Sequence, residues 1–92
     1  MTMRLQLSGV LDFESVPSVW KDMVHSLSEA SAIQLDLSAV THCNSAALAL
    51  LVAIVQEAGK HHQSVFMAHV PARLMEIAAA CGIREWIEDM SP

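Results

Sequence analysis

Ninety-two residues make one domain with a single core and little to spare. Apolar residues are 53% of the chain and charged ones 16%, so an unusually apolar surface patch is expected. The formal net charge of −5, with no cluster of Lys or Arg, argues against a nucleic-acid partner. Two cysteines, Cys43 and Cys81, are too few for a disulfide scaffold. The opening MTMRLQLSG lacks the long apolar stretch of a secretory signal, so both read as reduced thiols in a cytosol. The longest apolar run, Ala46–Val55, is about half of the ~20 residues a membrane span requires. A soluble domain is expected.

In chain order, Met3–Leu7 alternates apolar and polar residues and reads as a half-buried strand. It closes at Ser8-Gly9, and Val10-Leu11 continues it past a kink or bulge. Asp12 and Ser15 are both suitable N-caps for a helix predicted from Ser15 to Ala30. Val16, Val19, Trp20, Met23, Val24 and Leu27 form its apolar stripe, with Lys21, Asp22, Ser26 and Glu29 opposite. Ile33–Leu37 is the second strand, followed by a loop over Ser38–Cys43.

The central helix is predicted from Ser45 to about Ala58, with Gly59 near C′ and Lys60, His61 and His62 at its negative end. Val65–Ala68 is a short strand. A third helix runs from about Ala72 to a stop at Gly82, and Trp86 and Ile87 pack a terminal turn. Strands alternating with helices imply an α/β fold with parallel pairings.

The stretch Asp36–Lys60 organises the rest. A buried strand passes through a polar turn at Thr41–Ser45 into an apolar helix, placing a hydroxyl where backbone N–H groups and the helix dipole are positive. Such a place suits a phosphoryl group or a partner's carboxylate. Either Asn44 or Ser45 can cap the helix. Ala46–Val55 contains no polar residue, so the helix is either sandwiched in the core or presents an apolar face to a partner; the partner is the expectation. Cys43, just before the helix, is either a thiol of lowered pKa or a small polar loop residue, and the second reading is preferred.

Signatures of catalysis are missing. The three glycines are scattered, and no CxxC or HExxH spacing occurs. His42-Cys43 and His61-His62 are separated by a helix of about 20 Å, too far for one metal site. No enzyme activity, cofactor or metal is expected.

The stretch DLSAVTHCNSAALALL resembles the signature of the STAS domain (sulfate transporter and anti-sigma factor antagonist). Asp36-Leu37-Ser38 with Val40 is similar to the family's strand end, and Asn44-Ser45-Ala46-Ala47-Leu48 to its loop and helix start. Leu7-Ser8-Gly9-Val10-Leu11-Asp12 resembles an earlier family segment. The run Leu48-Ala49-Leu50-Leu51 is most similar to the MlaB-type branch, cytoplasmic subunits of a bacterial ABC system that moves phospholipid between membranes.

The resemblance implies one STAS domain over 1–92, with a small mixed β-sheet of parallel pairings covered by helices. It implies a non-catalytic subunit that binds and supports an MlaF-like transporter ATPase, peripheral to the inner membrane through that complex. Contact would run through Cys43, Asn44, Ser45, Ala46, Ala47 and Leu48, with Ser45 at the family's functional Ser/Thr position. The alternative is an anti-sigma factor antagonist switched by phosphorylation of Ser45. Asn44 stands where the family usually has an acidic residue, which favours the transporter. The family's first strand has no counterpart ahead of Met3, and the exposed sheet edge leads to an expected homodimer.

Overall fold

Period-two alternation sends Leu7, Ile33, Leu35, Leu37 and Met67 to one side of a sheet, where all five are buried. The computed structural model describes residues 1–27 and 30–91. Its elements are β1 (Thr2–Leu11), α1 (Val16–Leu27), β2 (Ala32–Cys43), α2 (Ser45–Lys60), β3 (Ser64–Ala68), α3 (Ala72–Ala80) and α4 (Arg84–Asp89). The three strands lie in the order β1-β2-β3, and both pairings are parallel. Each parallel step needs a crossover, which α1 and α2 supply. Residues of all four helices join the strands in one apolar cluster.

The region 38–43, expected as a loop, is the second half of β2. Ala39 pairs with Ser8, Val40 with Gly9 and Cys43 with Leu11. Between Gln6 and Ser8, and again between Gly9 and Val10, β2 spends one residue more than β1. These bulges break the alternation by which a strand is recognised. At the first, the Ser38 N–H donates to Asp36 Oδ1 at 2.9 Å, giving a displaced amide a partner. Gly9 itself sits at φ +73, the left-handed region that a side chain would strain.

Helix α1 begins one residue later than predicted and is described to Leu27. Ser28 and Glu29 lie outside the described residues, and Ala30 is not helical. The apolar stripe holds: Met23 and Leu27 are buried, and Val16, Val19, Trp20 and Val24 are half-buried.

Helix α2 is longer than predicted because Gly59 is helical and the chain reverses at His62. The Gln63 N–H donates to the Ala58 carbonyl at 3.0 Å and the His62 N–H to the Gly59 carbonyl at 3.3 Å, a Schellman pair. His62 occupies the left-handed C′ position at φ 55, where glycine is usual. His61 is the C-cap residue, and its ring stands 3.4 Å from Glu57. Gly82 takes the matching position after α3 at φ +77, as its sequence signal indicates.

The left-handed backbone of His62 costs about 1–2 kcal/mol in a residue with a Cβ. His62→Gly is expected to raise the unfolding free energy by roughly 1 kcal/mol once the extra freedom of glycine in the unfolded chain is set against that. Urea unfolding of the two proteins, read by circular dichroism, checks this.

Candidate functional site

The carboxyl ends of β1 and β2 meet the start of α2 at Asn44. Its N–H donates to the Leu11 carbonyl at 3.2 Å, and its side-chain Oδ1 accepts from the Ala46 N–H at 2.8 Å. Asn44 has extended backbone angles, and its carbonyl accepts from the Ala47 N–H at 3.0 Å. It is therefore the N-cap of α2.

Ser45 is then released from capping. It is the first helical residue and exposed, and its hydroxyl makes no hydrogen bond among the described residues. Ala46, Ala47 and Leu48, expected at a partner surface, are 4%, 0% and 6% exposed and belong to the interior. The apolar run as a whole is mostly sandwiched, since Leu50, Leu51, Ile54 and Ala58 are also buried. Flanking by α1 and α3 over the sheet buries it there, where a partner-facing apolar surface was expected. Before its last turn α2 leaves only Ser45, Ala49 and Gln56 exposed, with Val52, Ala53 and Val55 half-buried between them.

Cys43 ends β2 half-buried. Burial pushes its thiol up, and the Arg73 charge only partly offsets this. The thiol lines a crevice of about 300 Å³ with His42, Pro71 and Arg73. Cys43 and Cys81 are both free. Among the described residues, no group of three His, Cys, Asp or Glu side chains is placed to hold a metal.

Sequence reasoning missed Phe13. The β1–α1 turn is tied by Asp12 Oδ1, which accepts from the Glu14 and Ser15 N–H groups at 3.0 and 2.9 Å. Ser15 Oγ accepts from the Asp12 N–H at 3.0 Å and donates to the Val10 carbonyl at 2.6 Å. Phe13 projects from this fixed turn, 69% exposed, and shares a small depression with Asn44. Val10, on β1 just before the turn, is 44% exposed. The available signal was an aromatic between two turn-forming acids, off the helix stripe.

The chain matches, over residues 1–89, the family described as "Mlab, STAS domain". It belongs to the STAS domain family. The MlaB-type branch expected from Leu48–Leu51 is consistent with that family's description. A search of curated proteins found no match. Among solved structures, the chain is similar to the anti-sigma factor antagonist SpoIIAA in its unphosphorylated form. The TM-score is 0.76 at 14% identity, covering 99% of this chain and 79% of that one. A sulfate transporter family protein from Wolinella succinogenes is similar at TM-score 0.76 and 15% identity, covering 98% and 75%. These likenesses establish the STAS fold. No helix among the described residues is long and apolar enough to cross a membrane.

Two measurements test the site's construction. Asn44→Ala is expected to lose about 0.5–2 kcal/mol of stability as an N-cap, and Ser45→Ala less than about 0.5, by denaturant unfolding. The Ser15 N–H above all holds the Asp12 carboxyl below its usual range. A depressed carboxylate contributes stability present above its unfolded value, about 3.9, and lost as pH falls through the lower folded value. Asp12→Asn keeps the acceptor and removes the titration, so its stability should fall less steeply in that acid window than wild type's.

Proposed function

We propose that the chain is a non-catalytic accessory subunit of an ABC phospholipid transporter, binding and supporting its ATPase subunit. In this reading it serves outer-membrane lipid asymmetry from the cytoplasmic side, reaching the inner membrane only through the complex. The observation that carries the reading is the match to the MlaB-type family description over residues 1–89. The contact surface of this reading is Phe13, which shares a depression with Asn44, together with Ser45 and Ala49 on the first turns of α2, all three exposed. An aromatic held by a hydrogen-bonded turn loses little freedom on docking and suits the centre of an interface. Neither a nucleotide nor a nucleic acid has a role in this account.

A second reading draws on the exposed, unbonded Ser45 hydroxyl: an anti-sigma factor antagonist switched by phosphorylation. A phosphate there adds about −2 charge that the α2 dipole tolerates and an apolar partner does not. Asn44 favours the transporter, because an amide at the cap adds no charge beside the hydroxyl.

The test is binding of the purified chain to the transporter ATPase encoded by the same host. Phe13→Ala is expected to weaken binding about tenfold or more, as loss of an aromatic anchor does. Ser45→Asp is expected to do the same while staying folded, since a carboxylate is desolvated at the contact but favoured by the helix dipole. Full binding by both folded variants contradicts the surface. Co-purification with a soluble anti-sigma kinase instead of the ATPase favours the second reading.

A further inference from the structure

Among the described residues, no strand pairs with the outer side of β1. This strand runs ten residues, Thr2–Leu11, and among the described residues its sheet partner is β2 alone. The Met1 and Leu11 carbonyls accept from Ser31 and Asn44 at either end of β2. Odd-numbered residues of β1 therefore turn their backbone groups toward β2, and even-numbered ones turn theirs outward. Val10 has its outward carbonyl taken by Ser15 Oγ. Thr2, Arg4, Gln6 and Ser8 are left to present backbone donors and acceptors at the edge. The usual protections are sparse: there is no proline, the two bulges fall on β2, and Arg4 is the single charge. Beside the edge, a groove of about 290 Å³ toward α1 is lined by Leu5, Leu7, Val19 and Met23, with Asp22 and Ser26 at its rim.

We propose that a second copy of this chain occupies that edge, adding its own β1 antiparallel about a two-fold axis at Leu5. The sequence of the strand selects this occupant and this register. Centred on Leu5, Arg4 faces Gln6 of the second copy and Thr2 faces its Ser8, so every outward residue left free exchanges backbone hydrogen bonds. Leu5 faces Leu5, and Met3 faces Leu7, on the apolar side that carries the groove. Both Leu5 and Met3 are half-buried in one copy and would be covered in two. Arg4 of the second copy also approaches Asp36, the neighbour of Gln6 on β2, so charges of opposite sign lie across the seam. A centre at Arg4 sets like charges face to face. A centre at Gln6 needs the Val10 carbonyl that Ser15 already holds. The dimer carries one six-stranded sheet, and residues 11–15 of each copy lie outside the paired segment.

Sedimentation of the full chain across the micromolar range tests this. Wild type is expected to be dimeric there. Gln6→Pro removes an N–H that makes no bond within one copy, and should weaken the dimer about tenfold or more. Leu5→Cys, with Cys43 and Cys81 replaced by Ser, should form a disulfide-linked dimer under mild oxidation, because non-hydrogen-bonded antiparallel pairs bring Cβ atoms within reach. If Gln6→Pro fails to fold, the cross-link alone decides. A wild-type chain that stays monomeric overturns the proposal, and so does a folded Leu5→Cys protein that does not cross-link.

Discussion

Leu50, Leu51, Ile54 and Ala58 of α2 are sealed in one cluster with Ile33, Leu35 and Met67 of the sheet, and the position of everything functional follows from that contact. A helix so apolar can sit stably only when most of its circumference is covered. The sheet covers one side, and α1 and α3 cover the flanks. Once α2 is fixed along its length, its first turn has one possible place, the carboxyl end of β2. Asn44 then closes the corner by bonding backward to β1 and forward into the helix.

In the proposed function, this division of labour separates stability from recognition within a few residues. Asn44 satisfies the helix start, so the neighbouring Ser45 hydroxyl has no structural duty. Ala46 to Leu48 face inward and hold the helix down. On the other side of the corner, Asp12 and Ser15 fix a turn whose exposed product is Phe13. Two rigid elements thus deliver an aromatic ring and a small polar helix start to one surface. Such preorganisation lowers the entropy lost on binding.

Much of the fold was legible in the residues. The alternation in Met3–Leu7 and Ile33–Leu37, the stripe of α1 and the Gly82 stop each correspond to a simple periodic or conformational rule. The second half of β2 was not, because two bulges hide its period and its residues Ser38–Cys43 resemble a polar turn. The end of α2 was misread because Gly59 gives a stop signal that the helix overrides, leaving His62 to adopt the left-handed turn. The inward placement of Ala46, Ala47 and Leu48 was invisible for a related reason: a run apolar on all sides carries no phase. Only packing against α1, α3 and the sheet decides which residues of that run meet solvent. Phe13 escaped notice because exposure, not residue type, gives it significance.

The central claim is that the partner covers the corner built by Asn44 and the Asp12–Ser15 turn. Hydroxyl-radical footprinting of the chain, alone and bound to the transporter ATPase, measures this at side-chain level. Phe13, in the β1–α1 turn, and Phe66, on β3 at the far edge of the sheet, are both exposed when the chain is free. The account predicts that Phe13 loses its reactivity in the complex while Phe66 keeps it. A complex in which Phe13 stays as reactive as in the free chain would contradict the account.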